Sequence, residues 1–428
     1  MKKEIIKCKC IDISLEGYGI AKHNDLVIFV KDFLIGEEAS VKIIKHAKNY
    51  DVGIIEELLI KSIDRKELDC PIAYKCGGCD YRHTSYENTL RIKKHNLENI
   101  FKDFNIKVND VIACDNPLYY RNKTQIPFKD NKLGFYRKHS NDIVEFDECL
   151  IQKEIFNDIS KDIKELIDKY NLNDKVRHLF IRQGNKTNEI MLALIVNTFD
   201  INNIEEIKDY MINKYPNIKS FLLNLNKRND NVILGEDIKL IYGNEYINDI
   251  YDDIKVRISL KSFYQVNHPQ MIKMYSKIKD LANLNENSKV LDLYSGIGTI
   301  SLFLARHVNK VVGVEIVEDA VKDAKKNAEI NDIKNVEFYY DDASKNMHKY
   351  IKNKDVVIVD PPRKGLSKEL IEELDKSNID KIVYVSCNPL TLHRDLKLFK
   401  NYTFDEINPV DMFPYSKHIE TVVLLSRK

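Results

Sequence analysis

The chain has 428 residues, of which 43% are hydrophobic and 31% are charged, and its formal net charge is +1. This size and composition predict an ordinary globular protein of two or three domains and exclude a low-complexity chain. No apolar stretch approaches the length of a membrane span, and lysines interrupt the apolar residues of MKKEIIKCKC, so we expect a cytoplasmic protein with no membrane partner.

Residues 1–60 predict a small β-barrel. Short runs of alternating apolar and polar residues, such as EIIKCKCIDI and ASVKIIK, are separated by glycine and charged turns. The segment resembles a TRAM domain, an RNA-binding barrel of the OB type, at Gly17, Gly19, Ala21, Phe29, Val30 and the turn LIGEE. The alternative is a barrel that only stabilises the chain.

Residues 61–265 predict a central α+β domain. An amphipathic helix through SYENTLRIKKHNLENIFKDF precedes strand-like segments such as HLFIRQG and EIMLALIVN. Between them, a basic segment with interleaved Phe128, Phe135 and Tyr136 carries six cations, which are Arg121, Lys123, Lys129, Lys132, Arg137 and Lys138. Cations that contact phosphates beside rings that stack on bases suit an RNA-binding surface, and a solvated hairpin face is the alternative.

The central domain also carries a set of four cysteines. The run DCPIAYKCGGCD contains Cys70, Cys76 and Cys79, and Cys149 in FDECLIQ can complete the set. Cysteines of a cytosolic chain stay reduced, so such spacing indicates metal binding before disulfides. The spacing suits either a [4Fe-4S] cluster or a structural zinc ion and does not separate the two. The other isolated cysteines, Cys8, Cys10 and Cys114, are interpreted as structural.

Residues 266–428 predict a doubly wound, Rossmann-like α/β domain. Strand-like and helix-like segments alternate from VLDLYS through KVVGVEI, DVVIVD and KIVYVSC to the final TVVLLSR. Such alternation is typical of a parallel sheet covered by helices on both faces.

The first strand of this domain leads into a glycine turn, VLDLYSGIGTI, in which Gly296 and Gly298 let the backbone approach a ligand closely. Ser301 stands where a dinucleotide fingerprint has its third glycine, so the loop favours a cofactor without a pyrophosphate. Glu315 ends the next strand, where an acid accepts hydrogen bonds from ribose hydroxyls. A nicotinamide cofactor is the alternative for this loop considered by itself.

Three further residues are predicted at the carboxyl edge of the same sheet. Asp360 in IVDPPRKG and Cys387 in YVSCNP each follow a strand, and Glu420 directly precedes the last strand. Because Cys387 ends one strand and Glu420 begins another, Glu420 can lie beside Cys387 at this edge. Ligands bind at this edge in open α/β sheets. An inert buried cysteine and a surface acid are the alternatives.

The motifs QVNHPQ, DLYSGIG, DPPRKG, SCNP and DMFPYSKHIE, in this order, resemble those of the RNA uracil-5-methyltransferase family, which contains the 23S rRNA and tRNA uridine methylases. The resemblance implies a class I methyltransferase domain and a cofactor, S-adenosylmethionine, contacted by Gln265, Tyr294, Glu315 and Asp360, with Asp342 on the adenine side. It also implies Cys387 as nucleophile and Glu420 as base.

Uracil chemistry explains why such a cysteine and a carboxylate are needed. Carbon 5 of uracil is too weak a nucleophile to take a methyl group directly, so a thiolate must add at carbon 6 before a base removes the carbon 5 proton. Cytosine-5 RNA methylases usually carry another cysteine in the Asp-Pro loop, where this chain has Pro361, Pro362 and Arg363. The resemblance therefore favours uracil.

The barrel and the four cysteines resemble the 23S rRNA branch of the family, which implies a [4Fe-4S] cluster at Cys70, Cys76, Cys79 and Cys149 and 23S rRNA as partner. We therefore expect 5-methyluridine formation in 23S rRNA, with no obligate protein partner evident. The alternatives are a tRNA uridine methylase, methylation of an exocyclic base nitrogen, and an RNA-binding assembly factor with little turnover.

Overall fold

The computed structural model describes residues 4–428, so the first three residues of the predicted barrel range lie outside the described residues. Within this range the strands form four sheets of six, seven, two and nine strands. Within residues 4–428, every helix is too short or too polar to cross a membrane.

The first sheet contains six strands, and most of its buried core side chains are small or branched apolar ones. Its strands are β1 (Ile5–Lys9), β2 (Asp12–Ile13), β3 (Gly19–His23), β4 (Leu26–Val30), β5 (Glu38–His46) and β6 (Tyr50–Ile60). The strand order is β1-β5-β6-β4-β3-β2, and β1 packs beside β3, so the sheet curls towards a closed barrel.

A helix and a short strand follow the cysteine-rich turn, α1 (Tyr86–Phe101) and β7 (Lys107–Val108). Ser85 caps α1, its hydroxyl accepting a hydrogen bond from the Asn88 amide at 3.3 Å. Leu97 and Phe101 pack into the core of the C-terminal sheet, and β7 pairs with a strand of that sheet. The apolar period predicts this helix, but it does not reveal which sheet covers the apolar face.

The central sheet has the order β10-β9-β8-β11-β12-β13-β14. All of β12 is buried, because helices cover one face and the C-terminal region covers the other. Its elements are β8 (Lys123–Lys129), β9 (Lys132–Tyr136), β10 (Ile143–Glu145), α2 (Glu154–Lys169), β11 (Val176–Gln183), β12 (Ile190–Val196), α3 (Ile204–Lys214), β13 (Ile218–Leu225) and β14 (Asp237–Gly243).

A two-stranded hairpin and the C-terminal sheet complete the chain. A 3-10 turn (Met347–Lys349) follows α7 (Ala343–Asn346). The elements are β15 (Tyr246–Tyr251), β16 (Ile254–Ser259), α4 (His268–Ala282), β17 (Lys289–Leu293), α5 (Thr299–Ala305), β18 (Lys310–Glu315), α6 (Glu318–Ile330), β19 (Val336–Tyr340), α7 (Ala343–Asn346), β20 (Val356–Val359), α8 (Lys368–Lys376), β21 (Lys381–Ser386), α9 (Pro389–Leu396), β22 (Tyr402–Thr403), β23 (Glu406–Val410) and β24 (Glu420–Arg427).

The C-terminal sheet has the order β19-β18-β17-β20-β21-β24-β23-β7. Its first five strands are parallel, and β24 is antiparallel to β21. The chain proceeds outward in one direction through β17, β18 and β19 and in the other through β20 and β21. The crevice between β17 and β20 is therefore the switch point at which ligands bind in open α/β sheets. This arrangement confirms the predicted Rossmann-like fold.

Candidate active site

The turn after β17 uses backbone conformations that favour glycine. Tyr294, Gly296 and Gly298 have φ angles of 67°, 54° and 83°. A Cβ atom on Gly298 would lie 2.5 Å from the ring of Phe338, so only glycine fits there. The turn thereby brings the start of α5 close to the carboxyl end of β17 and leaves the crevice open.

Glu315, at the end of β18, is held against this turn. Its carboxylate accepts hydrogen bonds from the Gly296 amide at 2.9 Å and the Val317 amide at 2.8 Å. Because a carboxylate has about four lone-pair sites, two bonds leave capacity for ligand hydroxyls.

Tyr294 and Asp342 lie at the same edge as Glu315. Burial is the main cause that raises the pKa of Tyr294 to about 12, and the negative charges of Asp342, Asp395 and Glu315 add to it. Asp342 caps α7 and accepts a hydrogen bond from the Ser344 amide at 3.0 Å. The structure therefore brings together Tyr294, Glu315 and Asp342.

Gln265 lies in the segment that precedes α4. It is buried, and its backbone carbonyl accepts a hydrogen bond from the Asn122 side chain at 3.0 Å. The hydrogen bonds around the glycine turn described above do not include Gln265, so its place beside the cofactor stays a prediction.

Two acids with raised pKa values lie on the central strands of the sheet. Burial raises the pKa of Asp360, directly after β20, to about 7. Burial also raises the pKa of Asp292, inside β17, to about 7, although the Ser301 hydroxyl donates a hydrogen bond to it at 2.5 Å. A cationic ligand would stabilise the charged forms of both acids. Asp292 stands in the motif VLDLYS, but its burial was not predicted.

The raised pKa of Asp292 predicts a pH-dependent effect on stability. Its folded-state pKa lies above the ordinary value of 3.8. The contribution of Asp292 to the free energy of unfolding is therefore fully present below about pH 4 and is lost progressively as the pH rises through 7. We expect Asp292→Asn to stabilise the cofactor-free protein at pH 8 by on the order of 4 kcal/mol, and at pH 5 by a smaller amount of about 1.5 kcal/mol, because there mainly the unfolded chain is ionised. Thermal unfolding at both pH values tests this, with the turn variant Asp332→Asn as control. Equal melting shifts for the two variants would contradict the prediction.

Cys387 and Glu420 lie at the ends of two neighbouring strands. Cys387 directly follows β21 and Glu420 begins β24, with Ser386 paired to Thr421. Burial, then the charges of Glu420 and Asp360, raise the pKa of the Cys387 thiol to about 11, and the Arg363 guanidinium opposes this shift. The structure thus places Cys387 and Glu420 next to each other, as the sequence predicts.

Burial also acts strongly on Glu420 itself. It raises the pKa of this carboxyl well above its usual range, with a further contribution from Asp360 and an opposing one from Arg363. Arg363 is therefore the cation that favours the ionised forms of both Cys387 and Glu420. It belongs to the motif DPPRKG, but no pattern in the sequence indicates this role.

A cavity of about 280 Å³ opens beside Cys387, near the lower end of the ~300–1,000 Å³ common for ligand pockets. Its walls come from distant parts of the chain, including the barrel, α1 and the segment before β24. Glu16 and Lys417 form an ion pair at this cavity. Other lining residues are Leu15, Lys93, Asn96, Leu97, Ile100, Arg363, Asn388, Pro389, Leu390, His418 and Ile419.

The four predicted cysteine ligands share a separate cavity of about 90 Å³. Cys70, Cys76, Cys79 and Cys149 are free thiols that line it, together with Arg82, Arg121 and apolar side chains. Across residues 4–428, no three His, Cys, Asp or Glu side chains form a group that could hold a metal ion. The structure thus brings the four cysteines to one cavity, and the predicted cluster at this cavity stays a prediction.

The basic segment is only partly turned outward. Phe128 lies in the core of the central sheet, and burial lowers the pKa of Lys123 to about 7. Lys129, Lys132, Tyr136 and Arg137 are exposed, so the RNA-facing surface expected here is reduced to the β8–β9 turn and the residues after β9.

The sheet order, the glycine turn and the strand-end acids define the class of protein, a methyltransferase with the S-adenosylmethionine-dependent fold. The profile of the tRNA (uracil-5-)-methyltransferase family matches residues 85–428. The chain therefore belongs to this family and is an S-adenosylmethionine-dependent RNA uracil-5-methyltransferase.

Individual relatives agree with this family. An RNA methyltransferase of Bacillus cereus is 40% identical over 447 residues, covering 100% of this chain and 97% of the relative. An RNA methyltransferase of Clostridium acetobutylicum is 38% identical and covers 97% and 95% of the two chains. The crystal structure of Pyrococcus abyssi tRNA (uracil-54, C5)-methyltransferase with S-adenosyl-L-homocysteine is 29% identical, with a TM-score of 0.82 over 98% of this chain and 99% of that chain.

Proposed function

We propose that this enzyme forms 5-methyluridine in 23S rRNA through a covalent intermediate on Cys387. The observation that carries the chemistry is the placement of Cys387 and Glu420 at adjacent strand ends, with Cys387 lining a cavity. The choice of 23S rRNA rests on the resemblance of the barrel and the four cysteines to the ribosomal branch of the family.

A tRNA uridine is the second candidate substrate. The Pyrococcus abyssi enzyme, whose title gives uracil 54 of tRNA, matches nearly the whole length of this chain. A barrel followed by a central domain is therefore compatible with a tRNA substrate as well.

Each proposed catalytic residue has one defined step. The Cys387 thiolate forms a bond to carbon 6 of the uracil, and the ring becomes an enolate that is nucleophilic at carbon 5. S-adenosylmethionine, when bound, supplies the methyl group. Glu420 then takes the proton from carbon 5, and the bond between carbon 6 and the Cys387 sulfur breaks. Arg363 favours the ionised state of both residues throughout.

The cofactor crevice suits a cationic nucleoside. Glu315 would accept hydrogen bonds from ribose hydroxyls, with Tyr294 and Asp342 on the adenine side of the same edge. A cationic sulfonium would favour the ionised forms of Asp360 and Asp292, whose pKa values burial raises to about 7. Gln265 is proposed to contact the cofactor on the basis of the family resemblance.

Mapping of 5-methyluridine by mass spectrometry in rRNA and tRNA tests the substrate. A deletion strain should lose the modification from 23S rRNA, and a plasmid carrying the wild-type chain, but not Cys387→Ala, should restore it. Loss of 5-methyluridine from tRNA alone would show that the second candidate, a tRNA uridine, is the substrate. Unchanged 5-methyluridine in both RNAs would contradict the function.

We propose that Cys70, Cys76, Cys79 and Cys149 hold a [4Fe-4S] cluster, with zinc as the alternative. A structural zinc site gathers its ligands tightly, with Zn–S distances of about 2.3 Å. The observation that supports a shared site is that all four thiols line one cavity. Arg82 and Arg121 at the same cavity suit the net negative charge of a cluster with four thiolates.

We expect protein prepared without oxygen to be brown and to contain about four irons per chain. Serine substitution of any of the four cysteines should lower the iron content, because each is proposed as a ligand, whereas Cys114→Ser should not. Visible absorbance and metal analysis of the variants measure this. A colourless protein with one zinc ion would contradict the cluster.

The division of labour along the chain is also a proposal. Residues 1–60 and 61–265 would bind RNA, through the barrel and the exposed cations of the central sheet, and residues 266–428 would hold the cofactor. The barrel contributes Leu15 and Glu16 to the Cys387 cavity, which supports a direct role near the target base. We further propose that the enzyme acts in the cytoplasm, where rRNA and tRNA are modified.

A further inference from the structure

The segment between β23 and β24, residues 411–419, leads directly into Glu420, and we call it the approach loop. Its last three residues, Lys417 to Ile419, line the Cys387 cavity. Tyr415 in its centre has a φ of 60°, a left-handed conformation that is uncommon for a non-glycine residue. Contacts from outside the loop must therefore maintain this conformation.

The residues directly after Cys79 provide such contacts. The Asp80 and Tyr81 amides both donate hydrogen bonds to the Tyr415 carbonyl, at 2.9 and 3.0 Å. The Asp80 carboxylate accepts a hydrogen bond from the Lys417 amide at 2.9 Å. The cysteine-rich turn and the approach loop are thus joined backbone to backbone.

Arg82 belongs to both the cysteine cavity and the approach loop. Its guanidinium lines the cavity and lies 4.2 Å from the centre of the Tyr415 ring. Arg82 is 3% exposed, and its Nε atom donates a hydrogen bond to the Asp69 carboxylate at 2.9 Å. Its buried Nη1 atom has no hydrogen-bond partner within residues 4–428. A buried donor without a partner is costly, and an anionic group in the cavity would satisfy it.

Arg121 also lies between the cysteine cavity and the approach loop. It lines the same cavity, and its guanidinium lies 6.0 Å from the centre of the Phe413 ring. Two cations therefore connect one cavity with two aromatic residues of one loop.

We propose that Arg82 and Tyr415 are positioning residues through which the occupied cysteine cavity keeps the approach loop in its active conformation. This inference rests on the cluster proposed above. Its consequence is that loss of the cluster loosens the wall formed by Lys417, His418 and Ile419 and disturbs Glu420, although neither Arg82 nor Tyr415 contacts the reacting base.

Hydrogen exchange of the full chain, read by mass spectrometry, tests the proposal. We compare the cluster-loaded protein with protein stripped by chelator, in residues 411–419 and in β17 as internal reference. Stripping should raise exchange in the approach loop at least about tenfold and leave β17 unchanged. Equal loop exchange in the loaded and stripped proteins would overturn the proposal while the iron content still supports the cluster.

Variants of the loaded protein give a second readout that does not depend on stripping. Arg82→Ala and Tyr415→Leu should raise loop exchange and lower kcat at least about tenfold, with the KM for S-adenosylmethionine unchanged and about four irons still bound. Tyr415→Phe keeps the ring and should behave as the wild type. Arg228→Ala, an exposed arginine of the central region, is the matched control.

Removal of the cluster by chelator could unfold the whole protein, in which case β17 also exchanges faster. The loaded variants then test the proposal. Normal loop exchange and normal kcat in loaded Arg82→Ala would overturn the proposal. A chain that purifies with one zinc ion or without metal would overturn the cluster and this inference together.

Discussion

The Cys387→Ala variant should lose methylation by more than about 10⁴-fold in kcat, because the thiolate forms the bond that activates carbon 5. Binding of RNA and cofactor should remain within about threefold of wild type, since the thiol acts in the chemical step more than in ground-state binding. Single-turnover methylation with labelled cofactor and equilibrium binding of RNA measure the two effects.

The barrel variant Cys8→Ala serves as control, because it removes a thiol that lies outside the cavity. Full activity in Cys387→Ala would contradict covalent catalysis. It would favour methylation of an exocyclic base nitrogen, which needs no nucleophilic cysteine.

In the Glu420→Gln variant, the methylation reaction should be blocked at a later step than in Cys387→Ala. The methyl group is transferred, but the carbon 5 proton stays, so the bond to the Cys387 sulfur cannot break. We therefore expect a covalent protein–RNA adduct that survives denaturing electrophoresis and carries the labelled methyl group. Turnover should fall by about 10²–10⁴-fold, the usual contribution of a positioned base.

Two comparisons sharpen the test of Glu420. RNA with 5-fluorouridine at the target should trap the wild-type enzyme in the same way, because fluorine does not leave as a proton does. The exposed helix variant Glu369→Gln should form no stable adduct. If neither Glu420→Gln nor fluorinated RNA gives an adduct that requires Cys387, the mechanism is wrong.

The sequence predicted best what is local to one strand or turn. The alternation after residue 266 indicated the parallel sheet, and parallel strands place their carboxyl ends at one edge, so Glu315, Asp360 and Cys387 were expected there. The antiparallel β24 then starts at that edge and brings Glu420 beside Cys387. For these residues, chain order and strand direction were sufficient.

Contacts between distant segments were not predicted. Neither Lys93 on α1 nor Glu16 in the barrel carries a local pattern that indicates a wall of the Cys387 cavity. Phe128 was assigned to a surface, but β8 lies inside the central sheet and that ring faces the helices. The raised pKa of Asp292 likewise depends on burial by several elements, which one motif does not reveal.

The pairing of β7 with β23 has a consequence for how the chain is divided. Because α1 and β7 complete the C-terminal sheet, the catalytic unit is discontinuous, and the central sheet is an insertion between its edge strand and its first core strand. A recombinant fragment that begins at residue 266 would lack Leu97, Phe101 and Val108 from its core. Such a truncation would expose an apolar face and an unpaired strand edge, both of which promote aggregation.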